Sequence, residues 1–253
     1  MSDSSEPVHP PSLATRYDAL YEGSGFGDAP KFYRWIAALA DPGRSATVHD
    51  VGCGAGGALA AFAEREVPAI GLDFSATALS HAQTALRSSR GSPPRLLRAD
   101  GTRLPFASNS VDVLLNLGNL EHFADLAAGI REMHRVLALD GRAFVLLPNL
   151  FYSGVIWRVL WGGEGPNHHQ PIDRFATRSE WQAWLEWGGL RVERTLPYHK
   201  GKRWKRLLPR AFAWHFLFQC TRGVPNDGPP PPAPLGRTEP GLDRSIGKAP
   251  PSR

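Results

Sequence analysis

Leu13, Tyr17, Leu20 and Tyr21 recur at i, i+4, i+7 and i+8, a spacing that predicts one apolar face of a helix. After Pro30, the set Phe32, Ile36 and Leu39 predicts a second helix, stopped by Asp41-Pro42-Gly43. From there, short apolar runs alternate with helical periodicity. Thr47–Val51 predicts a strand, and the glycines behind it open a helix through Glu66. Ala69–Phe74 predicts a second strand, with Ser75 placed to cap a helix running to about Arg90. Arg95–Ala99 and Val111–Asn116 predict strands three and four. Leu126, Ile130, Met133 and Leu137 mark one face of the next helix, and Asp140-Gly141 turns into a fifth strand, Arg142–Leu147. Apolar strands alternating with helices predict a parallel sheet covered on both faces.

Beyond Pro148 the pattern changes. Phe151, Tyr152, Val155, Ile156 and Val159 predict a core stripe, while Trp157 and Trp161 fall off it and are placed to face an acceptor or lipid. A polar loop, Asn167-His168-His169-Gln170, follows, so residues 150–176 form a lid-like insertion. Thr177-Arg178-Ser179-Glu180 is a capping box for a helix carrying Trp181, Trp184 and Leu185. Leu190–Leu196 and Trp214–Cys220 predict two last strands. Nine of the thirty residues from Val224 to Arg253 are proline, which predicts a disordered tail over 224–253. With 1–12 also expected to be disordered, a single domain is left over 13–223.

The composition, 42% hydrophobic and 21% charged over 253 residues, suits one globular domain. No apolar run approaches the roughly 18 residues of a membrane span. Met1–Ser12 has no secretory pattern, and Cys53 and Cys220 sit in apolar surroundings, so no disulfide and a cytoplasmic location are expected. The net charge of +5 is concentrated. Lys200, Lys202, Arg203, Lys205, Arg206 and Arg210 crowd one acid-free stretch, either a solvated loop or, across 199–213, a surface for an anionic substrate or membrane. Nothing in the pattern indicates an oligomeric state.

The candidate chemistry begins at Asp50-Val51-Gly52-Cys53-Gly54-Ala55-Gly56-Gly57, between the first strand and its helix. Glycines there let backbone approach a ligand closely. Gly52, Gly54 and Gly57 also fit the dinucleotide pattern G-x-G-x-x-G. Asp50 separates the two readings: a carboxylate beside a pyrophosphate is repelled, whereas it accepts a hydrogen bond from the ammonium of S-adenosylmethionine (AdoMet). Asp73, ending strand two, can bind ribose hydroxyls in either ligand class. Asp100, ending strand three, can accept from an adenine amino group, a role dinucleotide enzymes do not generally need.

With these residues, the chain resembles the class I AdoMet-dependent methyltransferases, particularly their bacterial small-molecule branch. The resemblance runs from about Val48 to Asn149 through Asp50-x-Gly52-x-Gly54-x-Gly56, Gly71-Leu72-Asp73, Ala99-Asp100-Gly101, Leu104-Pro105-Phe106, Leu120-Glu121-His122-Phe123 and Arg135-Val136-Leu137. It implies AdoMet as cofactor and a Rossmann-like α/β fold: a seven-stranded, mostly parallel sheet with helices on both faces and the last strand antiparallel. It further implies that Asp50, Gly52, Gly54 and Gly56 hold the methionine moiety, Asp73 the ribose and Asp100 the adenine region. Phe74 would lie on the adenine face, and Asn116 beneath the sulfonium.

For the acceptor side, His122 follows strand four and is the candidate general base, while Glu121 is expected to serve the local fold. His168 and His169 are candidate substrate residues in the insertion. Their spacing with Asp173 matches no strong zinc signature, so no metal is expected. The leading expectation is methylation of oxygen or nitrogen on a small-molecule acceptor: a sugar, lipid-linked intermediate or secondary metabolite. Asn116-Leu117-Gly118-Asn119 replaces the Asn/Asp-Pro-Pro-aromatic motif of many base methyltransferases, which argues against a nucleic-acid acceptor. An RNA or protein methyltransferase and a non-enzymatic AdoMet-binding scaffold are the alternatives, and Asp50 and Asp100 disfavour a nicotinamide oxidoreductase.

Overall fold

The computed structural model describes residues 12–23, 28–43, 46–87, 94–164, 166, 170–201 and 207–238. Its strands are β1 (Val48–Val51), β2 (Ala69–Asp73), β3 (Arg95–Arg98), β4 (Val111–Leu117), β5 (Leu137–Pro148), β6 (Ile172–Phe175), β7 (Leu190–Tyr198), β8 (His215–Arg222) and β9 (Leu235–Thr238). All but β6 and β9 join one sheet in the order β3-β2-β1-β4-β5-β8-β7. β1 to β5 run parallel, and β8 inserts antiparallel between β5 and β7. This is the predicted seven-stranded, Rossmann-like sheet, with the last of its strands reversed.

The helices are α1 (Leu13–Gly23), α2 (Pro30–Ala40), α3 (Gly57–Ala63), α4 (Ala76–Leu86), α5 (Leu126–Val136), α6 (Ser153–Leu160) and α7 (Arg178–Trp187). Strand alternation divides the core. Val113 and Leu115 of β4 pack with Ile36, Leu59 and Phe62, under α2 and α3. Leu114, between them, packs with Ile130, Met133 and Trp181, under α5 and α7. Side-chain caps set the helix starts: Ser75 Oγ accepts from Ala78 N at 3.1 Å and Asp125 Oδ1 from Ala128 N at 2.9 Å. The predicted capping box forms, with Thr177 N donating to Glu180 Oε2 at 2.7 Å. The helix expected to reach Glu66 ends at Ala63, and Glu66 takes a left-handed turn conformation at φ 59°.

Two expectations need correction. The region from Val224 was expected to be disordered, but over 224–238 it packs on the domain. β9 pairs antiparallel with β6, Trp187 Nε1 donates to Gly228 O at 2.9 Å, and Trp184 Nε1 donates to Pro232 O at 3.0 Å. Prolines lack donors but keep carbonyls, and here the carbonyls of Pro232 and Gly228 satisfy indoles that would otherwise be buried without an acceptor. Residues 239–253 and 1–11 lie outside the described residues. The aromatic stripe of the insertion is also only partly core: Val155 is buried, whereas Phe151 and Val159 are exposed. Among the described residues no helix is long and apolar enough to cross a membrane.

Candidate active site

β1 is flanked by β2 on one side and β4 on the other, so the connections run in opposite directions from it. In open α/β sheets that reversal leaves a crevice at the carboxyl ends of the strands, where ligands bind. A cavity of about 120 Å³ lies there, and Gly52, Asp73, Phe74, Asp100 and His122 all line it. Four of the eight residues expected to hold the cofactor are therefore brought together with the candidate base.

Asp50 stands next to this group at the end of β1, 2% exposed. Its Oδ1 has no hydrogen-bond partner among the described residues. Burial, then the nearby Asp73, pushes its carboxyl up to about 7. Asp73 accepts from Gly54 N at 3.0 Å and from Ser75 N at 2.9 Å. Burial raises its pKa against those two bonds. Two buried carboxylates with an orphaned oxygen between β1 and β2 form a site that a cation relieves and a pyrophosphate does not. The donor set thus fits the cationic amino-acid end of AdoMet. Asp100 turns the chain after β3, its Oδ1 accepting from Thr102 N and Oγ1 at 2.8 Å each.

The turn after β1 needs its first glycine for two reasons. Gly52 lies at φ +78°, and a Cβ on it would stand 2.0 Å from Asn119 Nδ2. Asn119 itself donates to Val51 O at 3.3 Å and lines the cavity. Gly56, expected with the other glycines to hold the methionine moiety, also takes a left-handed conformation, and the side a Cβ would occupy faces α4, 3.2 Å from Ala82 Cβ. Asn116 is wholly buried near the end of β4, its Oδ1 accepting from Leu120 N at 2.8 Å to hold the 3₁₀ turn Leu120–His122, while its Nδ2 has no hydrogen-bond partner among the described residues. Asn119, three residues later, is an amide that lines the cavity.

His122 rests in a buried polar cluster. Its Nδ1 is 2.5 Å from Ile172 O and 3.2 Å from Asp173 Oδ1. A carbonyl can only accept, so Nδ1 carries the proton and Nε2 is the basic nitrogen of the neutral ring. Burial holds its pKa below the usual imidazole range, opposed by Asp173. Glu121, buried, places Oε1 3.7 Å from Nε2, leaves Oε2 without a partner, and is pushed up to about 8 by burial. Its surroundings are those of a neutral carboxyl beside the base, more than the local-fold role expected. Arg174 donates to Glu121 O at 3.2 Å and also to Phe123 O and Ala124 O, pinning this loop from β6. Tyr17, on α1, stacks edge-on to Phe74 at 5.1 Å and covers the cavity.

Asn119, Tyr17, Asp173 and Arg174 carried no motif. Tyr17 was visible as part of a helical stripe and Asp173 only as a possible metal partner. His168 and His169, and the basic residues 202–206, lie outside the described residues.

A Rossmann-like sheet with Asp73 and Asp100 lining one cavity at its carboxyl edge and Asp50 buried beside it is the arrangement that the family resemblance implies. A methyltransferase-domain family model matches residues 49–145. The chain is 32% identical over 152 residues to a demethylmenaquinone methyltransferase of Thermus thermophilus, covering 58% of this chain and 69% of that one. It is 28% identical over 139 residues to a ubiquinone/menaquinone biosynthesis C-methyltransferase of Geotalea uraniireducens, covering 53% of this chain and 59% of that one. Among solved structures, magnesium protoporphyrin IX methyltransferase from Synechocystis with bound S-adenosylhomocysteine superposes with a TM-score of 0.62. Identity there is 18%, over 83% of this chain and 96% of that one, so the likeness is one of fold. The chain belongs to the class I AdoMet-dependent methyltransferases, and its cofactor is AdoMet.

Proposed function

We propose that this enzyme transfers the AdoMet methyl group to a proton-bearing oxygen, or secondarily nitrogen, of a small-molecule acceptor, with His122 as general base and Asp173 as its positioning residue. The observation that carries the reading is the arrangement of His122, its Nδ1 committed to Ile172 O and Asp173 while the ring lines the same cavity as Asp73 and Asp100. AdoMet supplies an electrophilic methyl group on a sulfonium. His122 Nε2 would take the proton of the acceptor O–H as that oxygen is methylated. The Asp173 carboxylate stabilises the imidazolium so formed, the logic of a carboxylate–histidine pair. On the cofactor side, Asp50 would accept from the ammonium, Asp73 from the ribose hydroxyls and Asp100 from the adenine amino group, with Phe74 against the adenine and Gly52 and Gly54 allowing close backbone approach.

The relative named for demethylmenaquinone supports a small-molecule acceptor. The relative named as a ubiquinone/menaquinone biosynthesis C-methyltransferase also favours a second reading, methylation at a ring carbon activated by a neighbouring hydroxyl, which the same base would deprotonate. The deciding experiment incubates the enzyme with methyl-labelled AdoMet and panels of phenols, alcohols, quinols and amines. Products heavier by one labelled methyl group are then mapped by fragmentation. Label on oxygen or nitrogen supports the first reading, and label on carbon the second. Turnover unaffected by loss of His122 removes the base from both.

A further inference from the structure

The insertion that brings Asp173 to His122 turns a different face outward. α6 buries Val155 against the molecule. From there it exposes Trp157 (56%), Leu160 (69%) and Trp161 (73%), the two indoles 4.6 Å apart. Phe151, 53% exposed, stands at the start of the same insertion. Large apolar side chains gathered on one surface lose free energy in water and mark a place that something covers. Indoles, apolar with one polar edge, suit the boundary between water and hydrocarbon.

The neighbouring surface is basic. Phe151 also lines a cleft of about 610 Å³ whose walls carry Arg178, Arg194 and Arg210. No ion pair to any of these three occurs among the described residues. The cleft's one acid, Glu193, is engaged by Arg191 at 2.6 Å and Thr221 at 2.8 Å. From Phe151 to Gly163 the insertion contains no acid at all.

We propose that α6, with Phe151 and Trp161, docks this enzyme on an anionic lipid surface. The indoles and Leu160 enter the boundary between headgroups and acyl chains, while Arg178, Arg194 and Arg210 meet lipid phosphates. Charge selects this occupant over a second copy of the chain. A two-fold contact through the patch would set arginine clefts against each other, whereas anionic headgroups neutralise them. The inference goes beyond the proposed chemistry and stands whether or not His122 is the base.

The test sediments the full-length protein with vesicles of phosphatidylcholine alone and of an equal mixture with phosphatidylglycerol. The protein should pellet with the mixed vesicles, and less so as salt rises. Trp157→Ser/Leu160→Ser/Trp161→Ser should cut partitioning by more than about tenfold. Arg178→Gln/Arg194→Gln/Arg210→Gln should cut it by about fivefold per charge. All six side chains are away from the cofactor cavity, so AdoMet affinity, which reports folding, should stay as in wild type. The proposal is overturned if the wild type stays in the supernatant at low salt, or if both variants pellet as the wild type does. It is equally overturned if vesicles are ignored while the serine variant converts a dimer to a monomer in size-exclusion chromatography, which would assign the face to a second copy.

Discussion

The two sides of the cavity are held together over different lengths of chain. On the cofactor side, Asp50, Gly52 and Gly54 share one turn, and Asp73 reaches Gly54 N from the end of the next strand, 19 residues on. Each acid closes its own strand, so its position follows from where that strand stops. On the acceptor side, His122 finds its carbonyl partner 50 residues away, and Arg174 returns across a similar span to pin the loop before α5. The first side is local chemistry repeated at successive strand ends. The second is assembled from an insertion folding back on the sheet. Variants of the first should therefore act on cofactor binding, and variants of the second on turnover.

The largest effect expected is on the acceptor side. His122→Ala should lower kcat by about 10²–10⁴-fold, the usual contribution of a general base, while AdoMet affinity measured by calorimetry stays within about twofold. Asp173→Asn sharpens the point. Asp173 raises the pKa of His122, so its loss should move the acid limb of the kcat/KM profile to lower pH, a shift that a purely structural contact would not produce. An unshifted limb would separate Asp173 from the base.

Next in size is Asp50→Asn on the cofactor side. Losing a charge-assisted hydrogen bond of about 1.5–3 kcal/mol should weaken AdoMet binding by roughly 10–150-fold. Because burial lifts the Asp50 carboxyl to about 7, wild-type affinity should fall as pH is lowered through that value, where the carboxyl takes a proton and no longer attracts the ammonium. The variant's affinity should be flat over the same range. The cofactor-free protein should show the opposite trend in stability. Asp50 and Glu121 both have folded pKa values raised above the ordinary carboxylate range, to about 7 and about 8. Their neutral forms favour the fold at low pH, and that stability is lost as pH rises through those values. A melting temperature that climbs between pH 6 and 9 would contradict these two assignments.

A smaller effect is expected from the segment that backs β6 and α7. Removing Val224–Arg253 strips the carbonyl partners from Trp184 and Trp187 and the strand partner from β6. At about 1 kcal/mol for each indole hydrogen bond, the melting temperature should drop by roughly 4–8 °C. β6 carries Asp173, so the truncated enzyme should also lose turnover before it loses AdoMet binding. Unchanged melting would return the segment to the solvated tail that its composition suggests.

The sequence by itself determined the alternation of strands and helices, the caps at Ser75 and Thr177, and the acids at Asp50, Asp73 and Asp100. These depend on neighbours within a turn or at a strand's end, where periodicity and residue chemistry act directly. Only the tertiary structure decided what each glycine of the first turn packs against, since Gly52 and Gly56 share a left-handed conformation but meet Asn119 and Ala82 respectively. It also brought Asn119 to the cavity, gave His122 its carboxylate, and paired Leu235–Thr238 with Ile172–Phe175. Each of those outcomes is a contact across many residues, and closing such a loop is set by the shape of the rest of the fold rather than by the few residues that meet.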